Sequence, residues 1–113
     1  MNSAERLAED WMDICDSSDV LPNLGVRALV NDEQIAIYRV QGQLYAIGSI
    51  DPFSGAAVLS RGIVGDVKGQ LVVASPIYKQ HFNLATGVCL EEPSVRVKSY
   101  PVREIAGRVQ VLV

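Results

Sequence analysis

Apolar residues recur along this chain mostly at alternate positions, in short runs set off by turn residues, a pattern of strands rather than helices. Trp11–Ile14 alternates and is broken by Asp16-Ser17-Ser18-Asp19, then by Leu21-Pro22-Asn23. Val26–Val30 is rich in aliphatic residues and connects through Asn31-Asp32-Glu33 to a strand over Gln34–Val40. In that strand Ile35, Ile37 and Arg39 face one way, and Ala36, Tyr38 and Val40 the other. Gln41-Gly42-Gln43 then turns the chain into Leu44–Ile47. Asp51–Gly69, with glycine at 55, 62, 65 and 69, reads as one long irregular stretch, a kind of loop that is usually functional. Gln70–Ala74 is the next strand, and Ser75–Gln80 is a second loop returning through His81–Leu84 to a turn at Thr86-Gly87. After a break at Glu91-Glu92-Pro93-Ser94, Val95 and Val97 alternate with Arg96 and Lys98. Val102 and Glu104 lead to a turn at Ala106-Gly107, and Val109, Val111 and Val113 complete a closing hairpin. About nine short strands without an interior helix predict an all-β antiparallel sandwich or barrel. Ahead of them, Asn2–Asp10 reads as a short helix with Ser3 as its N-cap, or as a frayed extension, leaving 11–113 as a single domain.

Composition narrows the class. A chain of 113 residues, 49% apolar and 20% charged, is an ordinary globule able to build its own core. Its net charge of −3 argues against a nucleic-acid partner, although Arg96, Lys98 and Arg103 gather late in the chain. No apolar run reaches the length of a membrane span, and MNSAERLAED lacks the apolar region of a secretory signal. Cys15 and Cys89 are far apart and imply no disulfide framework, so both read as reduced, cytosolic thiols.

Candidate chemistry is sparse. His81 is the sole histidine and the obvious general base, but it precedes Phe82 in a strand, so an inward Phe82 turns it outward. Cys89 is spaced to be imagined as its partner, yet a small apolar core filler is the better reading. Asp51, Asp66 and the Glu91-Glu92 pair lack cation-loop spacing and read as solvated loop charge. Gly62 and Gly65 sit in no phosphate-binding frame and are turn residues.

Ser75–Gly87, SPIYKQHFNLATG, is the segment with most information. It resembles the second cluster loop of Rieske-type domains, Cys-Pro-x-His-Gly leading into Phe-Asp-Leu-x-Thr-Gly. Pro76, Phe82, Leu84, Thr86 and Gly87 keep that frame, with Asn83 at the acidic position. Upstream, Asp51-Pro52-Phe53-Ser54-Gly55 stands where such domains carry Cys-Pro-His-x-Gly. A Rieske [2Fe–2S] centre needs two cysteines and two histidines. Here Asp51 and Ser75 hold the cysteine positions, and Phe53 and Tyr78 the histidine positions. With one histidine in the chain, a cluster of that kind is excluded on arithmetic. Aromatic rings at two of the four positions suggest infilling of the vacated volume, with Phe53 and Tyr78 packed where the loops approach.

The chain from Trp11 onward also resembles the small subunit of the cytoplasmic NADH-dependent nitrite reductase. The resemblance rests on Ile50-Asp51-Pro52-Phe53, Val58-Leu59-Ser60-Arg61-Gly62, Val73-Ala74-Ser75-Pro76, Lys79-Gln80-His81-Phe82 and Gly87-Val88-Cys89-Leu90-Glu91, with weaker segments around Trp11–Cys15, Asp19–Pro22 and Glu33–Arg39. It implies a Rieske-like fold without a cluster, acting as an accessory subunit with no catalytic, cofactor or metal site of its own. The implied partner is a large subunit carrying FAD, sirohaem and an iron–sulfur cluster. The expected docking face is the loop tips, with Arg61, Lys79 and Gln80 as interface candidates by placement. Two other readings stay open. A binding or regulatory module on the same scaffold predicts a pocket between the loops, and an enzyme using His81 or a loop carboxylate predicts a perturbed titration.

Overall fold

The computed structural model describes residues 11–113, and the helix expected over Asn2–Asp10 lies outside the described residues. Among the described residues, ten strands form three antiparallel sheets. They are β1 (Trp11–Asp16), β2 (Val26–Val30), β3 (Glu33–Val40), β4 (Gln43–Gly48) and β5 (Ile63–Val67), followed by β6 (Gln70–Ala74), β7 (His81–Asn83), β8 (Ser99–Tyr100), β9 (Val102–Ile105) and β10 (Arg108–Leu112). The sheet orders are β1-β10-β9, β2-β3-β4-β8 and β5-β6-β7. The only helical segments among the described residues are the 3₁₀ turns Ser17–Asp19 and Leu59–Arg61.

Local chemistry sets the hairpins. The β2–β3, β3–β4, β5–β6 and β9–β10 connections each place two consecutive residues at positive φ: Asn31-Asp32, Gln41-Gly42, Lys68-Gly69 and Ala106-Gly107. Paired positive φ is the two-residue turn whose twist matches that of antiparallel strands. Three of the four carry glycine second, where the left-handed backbone is free of a Cβ clash.

Strand β3 lies at the centre and is buried on both faces. Ala36, Tyr38 and Val40 join Ile47, Leu59, Val73, Phe82, Leu84, Cys89 and Val97 in one core, against the β5-β6-β7 sheet. Ile35 and Ile37 join Val20, Val30, Ala46, Tyr100, Val109 and Val111 in the other, against β1-β10-β9. The alternation read from the sequence is therefore literal here. The Tyr38 hydroxyl donates to the Leu59 carbonyl, and burial pushes its ionisation upward, so it stays a neutral donor that anchors the 3₁₀ turn.

Two expectations fail. The long irregular stretch ends at Gly62, because Ile63–Val67 pairs with β6 from Ile63↔Ala74 to Val67↔Gln70. The four residues Val95–Lys98 make no regular strand. Val97 is buried and its amide bonds to the Gly87 carbonyl, but only an isolated bridge, Val88↔Arg96, forms there. The ladder onto β4 begins later, at Ile47↔Ser99.

Candidate functional site

The two loops of interest have equal length and the same construction. The first spans 51–56 and is closed by the antiparallel pair Ile50↔Ala57. The second spans 75–80 and is closed by Ala74↔His81. In each, the first residue's amide donates to the sixth residue's carbonyl: Asp51 to Ala56 and Ser75 to Gln80, both at 2.9 Å. The fifth residue's amide returns to the first carbonyl, Gly55 to Asp51 at 2.7 Å and Lys79 to Ser75 at 3.1 Å. The first side chain accepts from the third amide, Phe53 N to Asp51 Oδ1 at 2.8 Å and Ile77 N to Ser75 Oγ at 3.3 Å. Both fifth residues have positive φ, +77° at Gly55 and +68° at Lys79. A short polar residue followed by proline opens each loop, and this repetition is visible in the sequence.

The loops meet through their first residues. Ser75 Oγ donates to Asp51 Oδ2 at 2.5 Å, and both residues are fully buried. A buried carboxyl is tolerated only when hydrogen-bonded, and Asp51 is served by the Ser75 hydroxyl and the Phe53 amide. Asp51, expected as solvated loop charge, is instead buried, because the Ser75 hydroxyl and the Phe53 amide satisfy its oxygens. The Rieske resemblance aligns both residues with cysteine positions, and only the structure shows that they bond to each other. Complementary short polar side chains at both positions were the available signal.

The two aromatic residues expected to pack between the loops take different places. Phe53 is half-buried and packs on Phe82 with ring centroids 6.3 Å apart. Tyr78 does not pack between the loops, being 58% exposed. It occupies the fourth loop position, whereas Phe53 occupies the third, and the space between the loops is already closed by the Asp51–Ser75 bond.

Two of the remaining frame residues, Asn83 and Gly87, serve the backbone. Asn83 Oδ1 accepts from the Ala85 and Thr86 amides at 2.8 and 3.0 Å, the role of a short polar residue opening a turn. Gly87 has φ +80°, and a Cβ there would lie 2.1 Å from the Val97 carbonyl oxygen. The frame is thus kept by turn geometry at Asn83 and Gly87 and by core packing at Phe82 and Leu84.

Arg61 and Lys79 are exposed, and Gln80 is half-buried with its Oε1 buried and without a partner among the described residues. The 3₁₀ turn carries Arg61 to the base of the second loop, since Gly62 lies against the Ala74 carbonyl. Lys79 holds a left-handed backbone without glycine's freedom, a conformation costing about 1–2 kcal/mol.

His81 is part-exposed, as expected from an inward Phe82, and its Nδ1 lies 2.6 Å from Glu91 Oε2. Burial raises the Glu91 carboxyl, but hydrogen bonds from the His81 amide and ring outweigh it and leave the group below its ordinary value. Cys89 Sγ is 3.7 Å from Glu91 Oε1, and burial pushes this thiol up, away from the thiolate a nucleophile requires. Cys89 and Cys15 are free and belong to opposite cores.

Asp51, Phe53, Ser75 and Tyr78, the residues expected at the ligand positions, do not fit a [2Fe–2S] cluster. They offer no thiolate and no imidazole, and the two at the cysteine positions are joined to each other. No group of three or more His, Cys, Asp or Glu side chains capable of holding a metal occurs among the described residues. No helix among them is long and apolar enough to cross a membrane.

Residues 10–112 match the family model described as the Rieske-like [2Fe-2S] domain. The chain is 48% identical over 103 residues to the nitrite reductase (NADH) small subunit of Escherichia coli K12, covering 89% of this chain and 95% of that protein. It superposes on the NMR structure of the E. coli protein NirD with a TM-score of 0.83 at 48% identity, covering 89% of this chain and 94% of that one. It is also 38% identical over 101 residues to a nitrite reductase [NAD(P)H] large subunit from Klebsiella oxytoca, covering 89% of this chain but 11% of that protein.

Proposed function

The chain belongs to the Rieske-like [2Fe-2S] domain family, and from that premise we propose that it is the cluster-free small subunit of an NADH-dependent nitrite reductase. The observation that carries this reading is the 48% identity to the E. coli small subunit, spanning 95% of that protein. The reaction belongs to the assembled enzyme, an oxidoreductase that reduces nitrite to ammonium in nitrate assimilation. FAD, sirohaem and an iron–sulfur cluster reside in the large subunit, which is this chain's partner. The small subunit contributes no redox group and supports the large one from its loop face, with Arg61, Lys79 and Gln80 among the contacts. It acts in the cytoplasm, where NADH is supplied, and binds neither nucleic acid nor membrane.

The chemistry of the loops supports this division of labour. A diiron centre exchanges electrons through thiolate and imidazole ligands. The corresponding side chains here are a carboxyl, a hydroxyl, a phenyl ring and a phenol. The loops retain the architecture of a binding tip while its contents have changed from metal to hydrogen bonds. The Asp51–Ser75 contact also occupies the place where a small-molecule module would need its pocket.

The test is purification of the untagged native protein. Recovery in a complex with a large flavin- and sirohaem-containing chain is the expected result. A stable and fully active large chain in cells lacking this protein sinks the proposal.

A further inference from the structure

The loop tips carry a surface that the fold itself does not use. Pro52, Pro76, Ile77 and Tyr78 are exposed there, Ile77 by 43% and Tyr78 by 58%. The two loops lie side by side, joined at their first residues. Acidic and basic side chains in the two six-residue loops number two, Asp51 and Lys79, and Asp51 is fully buried. The tip therefore presents an apolar surface bearing one positive charge, on a chain whose net charge is −3.

Lys79 holds a left-handed backbone outside any two-residue hairpin turn. Its counterpart in the first loop is Gly55, which adopts the same positive φ without a side chain. The other non-glycine residues with positive φ lie in two-residue hairpin turns, apart from Asn23, whose short amide tolerates that region. The Lys79 ammonium enters no salt bridge or hydrogen bond among the described residues.

We propose that Tyr78, Ile77 and Lys79 form the docking tip for the nitrite reductase large chain, with Tyr78 and Ile77 entering an apolar hollow and Lys79 facing a carboxylate at its rim. The inference rests on the function proposed above. One observation commits it to that occupant. A segment similar to this domain is built into a K. oxytoca protein named as a large subunit, so there the two parts share one chain. The chemistry of the tip sets what it fits: exposed apolar side chains beside one cation match an apolar hollow with an acidic rim, and tyrosine is a favoured anchor at such interfaces.

The experiment uses the full chain with its own large chain, measuring the dissociation constant at two ionic strengths and the urea midpoint of the isolated chain. Tyr78→Ser is expected to leave the midpoint unchanged and to weaken the complex about tenfold or more. Lys79→Gly is expected to hold or raise the midpoint, weaken the complex and flatten its dependence on salt. Lys68→Gly, at another positive-φ lysine in the β5–β6 turn, leaves the complex unchanged. Wild-type affinity in both tip variants overturns the docking tip alone. Absence of any wild-type complex overturns the function proposed above as well.

Discussion

Replacing Ser75 by alanine tests whether the two loops are held together by one buried hydrogen bond. The substitution removes the donor to Asp51 Oδ2 at 2.5 Å and the acceptor of the Ile77 amide at 3.3 Å, in a residue with no solvent exposure to compensate. An unsatisfied buried polar group costs about 1–3 kcal/mol, and the lost methylene-sized volume is negligible for Ser→Ala, so about 2 kcal/mol is expected. With unfolding entropy near ~2.1 cal/mol/K per residue, a chain of 113 residues loses about 8 °C in Tm. In urea the midpoint falls by about 1 M at an unchanged slope of ~2 kcal/mol/M. A double-mutant cycle with Asp51→Ala isolates the bond from other consequences of each change, and a coupling of at least about 1 kcal/mol is expected. Additivity of the two substitutions within ~0.3 kcal/mol refutes the claim that this pair clasps the loops.

Phe53→Ala strips a half-buried ring from Phe82 and is expected to cost about 2 kcal/mol, below the range for a fully buried phenylalanine, as read from the urea midpoint. Gly87→Ala places a Cβ 2.1 Å from the Val97 carbonyl at φ +80° and should lower soluble yield and Tm far more than Gly42→Ala, where φ is equally positive but nothing lies within 4 Å. Glu104 is held below its ordinary value of 4.5 by hydrogen bonds from Ser17 and then Arg39. A depressed carboxyl stabilises the fold above its unfolded pKa and loses that contribution as pH falls through the folded one. Glu104→Gln should therefore flatten the decline in urea midpoint below about pH 4.5, and an unaltered acid limb contradicts the assignment.

Much of the fold was written in local pattern. The two-sided burial of β3 follows from its alternation of Ile35 and Ile37 with Ala36, Tyr38 and Val40. Strand β5 is not legible in the sequence because Gly62 and Gly65 look like turn residues and an isoleucine, Ile63, is 73% exposed. Pairing with β6, a tertiary fact, makes it a strand. The alternation over Val95–Lys98 correctly buried Val97, yet misled about the ladder, because Gly87 supplies the nearby carbonyl from a turn. At the loops, the resemblance to the Rieske frame singled out Asp51, Phe53, Ser75 and Tyr78, and their contacts are visible only in space. Asp51 and Ser75 lie 24 residues apart, and no local rule links them. Side-chain volume alone does not place Tyr78, because one loop position separates a residue that faces Phe82 from one that faces solvent.

The central strand β3 has a consequence for cooperativity. Its two faces belong to different cores, so neither outer sheet can melt without exposing apolar residues of the strand that the other still needs. Amide protons of Ile35–Tyr38 should exchange only on global opening, while those of the exposed loop tips exchange by local fluctuation. A partner gripping the loops therefore pulls against the whole molecule. Because the first loop follows β4 and the 3₁₀ turn is tethered to Tyr38, any strain imposed at the tip is delivered to the least yielding strand of the fold.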